Sequence, residues 1–215
     1  MTKFDVKHTD TLLTTTRAVR KRLDLSRLVE EQQIKKCLEI SQQAPTGSNR
    51  QGWQWVIITD KGKRRIIANY YRQSAGNYLE EGKNSARDKS DDQGFKVFES
   101  AQYLADNMED VPLLVIPCID TSHMPLNAPA HKWLSLGGSI FPAIWSFQLA
   151  LRARGLGSCI TTLHLVYERE ISKIIGIPET FAQVALLPVA YTKGTDFKPA
   201  KRPPVSEIIH WNSWE

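Results

Sequence analysis

Ala44-Pro45-Thr46-Gly47-Ser48-Asn49-Arg50-Gln51-Gly52-Trp53 is a polar loop of mostly small residues between two apolar-patterned segments. Before it, Leu28 to Gln43 is predicted to be a helix, with apolar side chains at Ile34, Cys37, Leu38 and Ile40. After it, Gln54 to Thr59 (QWVIIT) is predicted to be a strand. Pro45 and Gly47 punctuate the backbone, and Gly52 allows a tight entry into the strand. Thr46, Ser48, Asn49 and Gln51 set hydroxyls and amides in a row, and each amide offers both a donor and an acceptor. Such groups hold a polar heteroaromatic edge and do not attack it. Taken alone, the same residues also suit an ordinary helix-to-strand turn.

The loop belongs to a chain of 215 residues, 41% apolar and 24% charged, which fits one soluble globular domain over 1–215. Met1 to Asp10 (MTKFDVKHTD) has no apolar signal core. The apolar run Val111 to Ile119 (VPLLVIPCI) is too short to cross a bilayer and has the pattern of a buried strand. The expectation is a cytoplasmic protein with no membrane segment. The three cysteines, Cys37, Cys118 and Cys159, stand far apart in apolar contexts, as small buried hydrophobes do. The five histidines are scattered, and no HExxH, GxSxG or Walker loop occurs. Gly155-Leu156-Gly157 stops short of the GxGxxG fingerprint. These absences argue against a metal hydrolase, a serine hydrolase and a dinucleotide-fingerprint enzyme.

Net charge is +5, and the basic residues cluster. Arg17, Arg20, Lys21 and Arg22 form one group, and Lys193, Lys198, Lys201 and Arg202 another. Phe197 is the single aromatic within the two groups, which is not the repeated interleaving of a nucleic-acid stripe, so none is expected. Two compact cationic groups fit a single phosphate, which the arginine fork grips in pairs.

Elsewhere, Lys61 to Ser74 is predicted to be a basic helix and Phe95 to Asn107 a second helix. Ala75 to Gln93 between them holds little that could form a core, so 75–110 is expected to be an insertion or lid. Leu113 to Ile119 and Gln183 to Thr192 are predicted strands. Trp133 to Arg154 is apolar nearly all round between 140 and 151, as in a central helix or a homodimer interface. With Pro142 in its first turn, that helix is expected to start near Ser139 and to stop at Gly155. The tail Pro203 to Glu215 carries Ile208, Ile209, Trp211 and Trp214 and is expected to pack as an arm, with a partner subunit as a candidate. Strands separated by helices give an α+β or α/β domain.

Taken in order, four blocks resemble the nitroreductase family of FMN-dependent oxidoreductases. They are Thr16 to Lys21, Ala44 to Trp53, the apolar helix with Gly155-Leu156-Gly157-Ser158, and Lys201-Arg202-Pro203-Pro204. Gly52 stands where many members carry proline, Ala18 where many carry serine, and Arg22 where many carry phenylalanine. The resemblance implies an α+β nitroreductase-like fold, a central mixed sheet flanked by helices, in an intertwined homodimer with FMN at the interface. It implies that Arg17 and Arg202 hold the phosphate, with Ala18, Val19 and Lys201 beside them, and that Arg20 faces the pyrimidine edge of the flavin. Asn49 and Gln51 would read the ring's carbonyl and imide groups, and Pro45, Thr46, Gly47 and Ser48 would lie against the ring or ribityl chain. Thr161, Thr162 and Leu163 match the segment that points a peptide N–H at the hydride-carrying nitrogen. The implied activity is ping-pong transfer from NADH or NADPH to a nitroaromatic, quinone or similar acceptor, with Tyr70, Tyr71, Phe95 and Phe98 of the lid setting access. A flavin-remodelling or dehalogenating relative and a flavin-storing module are the alternatives.

Overall fold

The structure, a computed structural model, describes residues 4–125 and 127–214. Parts of three sequence expectations lie outside them: the start of Met1 to Asp10, Leu126 in the loop before the apolar helix, and Glu215 at the end of the arm. The helices are α1 (Val6–Thr15), α2 (Glu31–Ser41), α3 (Lys61–Asp88), α4 (Asp92–Asn107), α5 (Ala130–Arg152) and α6 (Glu168–Ile175). The strands are β1 (Trp53–Ile58), β2 (Leu113–Asp120), β3 (Leu156–Ser158), β4 (Phe181–Gln183) and β5 (Leu187–Tyr191). Aspartates start three of the helices. Asp5, Asp60 and Asp91 accept the peptide N–H three residues on, from His8, Lys63 and Gly94, at 3.0, 2.7 and 2.9 Å.

The sheet runs β1-β2-β5-β3, with β4 also paired to β2. The pattern of β2 explains why it is apolar throughout. Leu114, Ile116 and Cys118 join the core under α3 and α4, while Leu113, Val115 and Ile119 join the core under α2 and α5. Both faces are covered, so both sets of alternating positions must be apolar. Each fully buried Leu, Ile or Val contributes roughly 1.5–3 kcal/mol. The predicted strand over Gln183 to Thr192 is broken in two, because Val184 donates to Pro117 and Leu186 turns to pair with Thr161.

The expectation of a mixed sheet is corrected: every pairing between the five strands is antiparallel. The connections give the reason. Between β1 and β2 lies a helical hairpin, α3 going out and α4 returning, so the chain re-enters beside the end it left. The single crossover α5 leaves β2 and β3 pointing the same way, but β5 inserts between them.

Residues 75–110 hold more core than their composition promised. Helix α3 runs on to Asp88 and buries Ala75, Leu79 and Ala86. Gly82 lets α4 come close, since a Cβ there would lie 2.2 Å from the Phe98 ring. Helix α5 starts at Ala130, earlier than predicted, and Pro142 lies inside it. Gly155, at φ +75°, lies beyond its end as expected. At 23 residues α5 is long and apolar enough to cross a bilayer by length and composition, yet it packs on α2, β2 and β3. One face is buried through Ile140, Ala143, Ile144, Phe147 and Leu151, and the other leaves Trp133, Leu134, Phe141 and Trp145 exposed.

Candidate functional site

Residues 17–23 leave α1 and run along the open edge of β3. The peptide N–H of Val19 donates to the Ser158 carbonyl at 2.9 Å, and Leu23 bridges to Thr192. Val19 is buried, which turns Arg17, Ala18 and Lys21 outward. Arg17 donates through Nη1 to the Lys198 carbonyl at 3.0 Å, tying the two basic clusters together. The loop carrying Lys198 is itself anchored. Arg22 pairs with Asp196 at 2.6 Å, and the Phe197 ring lies 4.0 Å from the Arg22 guanidinium and 4.4 Å from that of Arg152.

Two cavities flank Arg17 and Ala18. One, of about 540 Å³, is lined by Arg17, Ala18 and Arg202 together with Leu13, Trp145, Gln148, Ile160 and Pro199. It has cations, an apolar wall and one amide, since Gln148 is buried in α5 and donates to Ser158 Oγ at 2.9 Å. The other, of about 340 Å³, is lined by residues 17–22 with Ser100, Phe197 and Lys198. There Arg20 donates to Ser100 Oγ at 3.3 Å. Behind it the Cys159 thiol is pushed up to about 11, mainly by burial, and Cys118 likewise to about 12. All three cysteines are buried, free thiols, as their contexts predicted.

Thr161 pairs with Leu186 in both directions, at 3.1 and 2.8 Å, next to Ile160 of the larger Arg17 cavity. Thr162 is exposed and accepts from the Leu165 N–H, opening a 3₁₀ turn over Leu163–Tyr167. Lys201 and Arg202 are exposed.

The loop that opens the site lies elsewhere. Thr46, Gly47, Ser48, Arg50 and Gln51 line a third cavity of about 690 Å³ with Asp120, His123, Lys132 and Ser139. It shares no lining residue with the two arginine cavities. Gly47 donates its N–H to Ser139 Oγ at 3.1 Å, and Gln51 Nε2 reaches Asn49 Oδ1 at 2.9 Å. Hydrogen bonds from Ser122 hold the Asp120 carboxyl below its usual range. Ser48, Asn49 and Gln51 have φ of 53°, 52° and 49°, a left-handed conformation that costs a non-glycine residue about 1 kcal/mol or more. Neither Gly47 nor Gly52 is left-handed. The Gly52 carbonyl accepts the Asp120 N–H at 2.7 Å, which ties the loop to the end of β2. Three left-handed non-glycine residues within four positions make this a loop of defined, costly shape.

One chain therefore unites Arg17, Ala18 and Arg202 but not the loop of Pro45 to Gln51 with them. The composition of the first block did not point to Ser100, Gln148 and Ile160. A lone amide inside the apolar run of α5 was the available signal for Gln148.

The family model described as the nitroreductase family matches residues 13–191. The chain belongs to the nitroreductase family. A curated relative, the iodotyrosine deiodinase of Thermotoga neapolitana, is 25% identical over 177 residues, covering 82% of this chain and 84% of the relative. Among solved structures, an oxidised iodotyrosine deiodinase bound to FMN and 3-iodo-L-tyrosine aligns with a TM-score of 0.71 at 22% identity, covering 94% of this chain and 98% of that one. The FMN- and NADPH-dependent nitroreductase NfnB from Sphigopyxis sp. strain HMH aligns at 0.67 and 18%, covering 95% and 99%. These likenesses show that the nitroreductase fold extends over nearly the whole chain.

Proposed function

We propose that this nitroreductase-family chain binds FMN and is an oxidoreductase passing hydride from NADH or NADPH to a nitroaromatic, quinone or similar conjugated acceptor. The observation that carries the reading is the convergence of Arg17 and Arg202, from opposite ends of the chain, on one cavity with an apolar wall. Its volume of about 540 Å³ lies in the range of small-molecule sites. The donor set fits the group: guanidinium forks for a phosphate and Trp145 and Ile160 for a flat apolar ring in this cavity, with Arg20 in the adjoining one for the ring's electron-rich edge. Bound FMN supplies the hydride relay, and the protein supplies position and field.

Ser100 holds Arg20 in place, so its charge is set before any ligand arrives. At an effective dielectric of ~20, a cation about 4 Å from a developing negative charge is worth roughly 4 kcal/mol. The missing half of the site comes from a second copy. Ser139, which anchors the polar loop, and Trp145, which lines the arginine cavity, lie about 9 Å apart along α5 at ~1.5 Å per residue. Phe141, exposed between them, completes an apolar stripe. A two-fold axis through that stripe carries each copy's loop to the other copy's arginines. The exposed arm, with Trp211 and Trp214 at 81% and 84% accessibility, supplies further apolar surface for the same partner.

Reductive dehalogenation of a halogenated aromatic is a second reading, favoured by the deiodinase relative. The test is an absorbance spectrum with native mass, followed by anaerobic mixing with NADH and with NADPH. A yellow dimer bleached by a coenzyme and recoloured by a quinone or nitroaromatic supports the first reading. Halide release from a halophenol, without recolouring by quinone, supports the second. Bound flavin that neither coenzyme reduces leaves a flavin-storing module, and colourless protein that ignores added FMN sinks all three.

A further inference from the structure

Three contacts in a row along α3 meet one segment of the cofactor site. Tyr70 packs its ring on Tyr167 at 4.9 Å between centroids, Tyr71 OH lies 2.9 Å from Thr161 Oγ1, and Ser74 Oγ donates to the Leu163 carbonyl at 2.6 Å. The target is short, irregular backbone, beginning next to Ile160 in the wall of the arginine cavity. Leu186 fixes the Thr161 backbone from the far side. The peptide N–H groups of Thr162 and Leu163 make no hydrogen bond among the described residues. They are the donors left free to meet a ligand, so their aim depends on what holds the flanking groups.

The same hairpin reaches the adjoining smaller cavity. Its second helix, α4, supplies Ser100, which accepts from Arg20. Tyr78 and Phe98 join α3 to α4 edge to face, with centroids 5.8 Å apart. The hairpin thus contacts the walls of both cavities that flank Arg17, through Thr161 beside Ile160 in one and Ser100 in the other. Tyr71 is 2% exposed, and burial pushes its hydroxyl up to about 12, so the phenol stays neutral and its hydrogen bond persists across physiological pH.

We propose that Tyr71 and Ser74 are positioning residues that aim the Thr161–Leu163 backbone at the flavin, so that the α3–α4 hairpin tunes how readily the bound cofactor accepts electrons. The proposal rests on the FMN reading above. Neither side chain has to touch the flavin: each acts through a residue that does. A hydrogen bond weakens as its donor moves out of line, so the supports that fix these peptide groups set how strongly they favour one oxidation state.

The test uses the full-length protein loaded with FMN, and the variants Tyr71→Phe, Ser74→Ala, Thr161→Val and Tyr71→Phe/Thr161→Val. Three quantities are read: thermal stability, FMN dissociation constant, and the oxidised-to-reduced flavin equilibrium against a reference dye. FMN affinity is expected to stay within about twofold in Tyr71→Phe, because the phosphate grip is untouched. The redox equilibrium is expected to shift about fivefold, the worth of one ordinary hydrogen bond. Thr161→Val shifts it by a similar amount, and the double variant shifts it no further than either single change. A folded, FMN-loaded Tyr71→Phe with an unchanged equilibrium overturns the proposal, and so do two shifts that add. If Tyr71→Phe does not fold, Ser74→Ala decides by the same equilibrium, and an unchanged value overturns the proposal. Parent protein that takes up no FMN overturns the functional reading itself, a result visible before any variant is made.

Discussion

The peptide N–H of Val19 donates to the carbonyl of Ser158 at 2.9 Å, directly beside Gly157. A Cβ on Gly157 would lie 2.7 Å from Thr192 Cγ2 and 3.0 Å from Val19 Cβ. This glycine therefore lets residues 17–19 lie against β3 and fixes where Arg17 starts. Gly157→Ala is expected to destabilise by about 1–3 kcal/mol, the usual cost of overpacking. It also weakens FMN binding, because the arginine segment must move outward. Gly76→Ala is the contrast: nothing lies within 4 Å of its Cβ position in α3, and the change is expected to stabilise by about 0.5–1 kcal/mol. Urea unfolding and FMN titration of both variants check the pair.

Arg202 is exposed, and among the described residues its one hydrogen bond goes to the adjacent Lys201 carbonyl, at 3.1 Å. Its removal leaves no packing hole, so any effect reports on ligand. Arg202→Ala is expected to keep the melting temperature of the FMN-free protein and to lower FMN affinity by about tenfold or more, as for loss of a hydrogen bond to a charged group. Flavin-to-protein absorbance ratios after gel filtration measure it. An unchanged ratio refutes Arg202 as a phosphate ligand.

The fold was legible where apolar patterning was strong, and less so where small residues did the packing. The two-sided apolar run of β2 announced a strand covered on both faces. The second half of α3 was harder to read because its buried face is Ala75, Leu79 and Ala86, and because Gly82, a helix-weakening residue, is there for the Phe98 ring. The start of α5 was misplaced because Pro142 suits a first turn. In the structure it lies mid-helix, where the missing N–H falls opposite the carbonyl of Gly138, four residues back. The two basic clusters were legible in their charges, and the fold brings Arg17 and Arg202 to one cavity. The polar loop was legible in composition but not in shape, since its left-handed positions fall on Ser48, Asn49 and Gln51 and not on its glycines.

The open face of α5 carries the assembly prediction. Phe141 and Trp145 are exposed at helical spacing, with Leu134 75% exposed one turn pair earlier. Phe141→Lys places a charge in the middle of the proposed two-fold contact. Leaving it unpaired there costs several kcal/mol, enough to split the dimer. The expected product is a folded monomer that no longer retains FMN, because each copy loses the partner's loop. Native mass and flavin content are measured on one sample. A Phe141→Lys dimer with normal flavin places the interface elsewhere.

His164 directly follows Leu163 and is fully buried, and neither ring nitrogen has a hydrogen-bond partner among the described residues. Burial lowers its pKa from 6.5 to about 4, because the charged imidazolium has no water around it. The unfolded chain takes up this proton as pH falls through 6.5, while the folded chain does not until about 4. Between those values the unfolded state binds more protons, so the stability contributed by neutral His164 is complete above 6.5 and fades toward 4. A shift of this size corresponds to roughly 3 kcal/mol at most. His164→Met, similar in bulk and without a polar atom to satisfy, is expected to match or exceed the parent's stability at pH 7. The two proteins separate on acidification: urea midpoints at pH 7 and 4.5 fall in the parent and change much less in His164→Met. Parallel falls would show that carboxylates, not this buried ring, govern acid sensitivity.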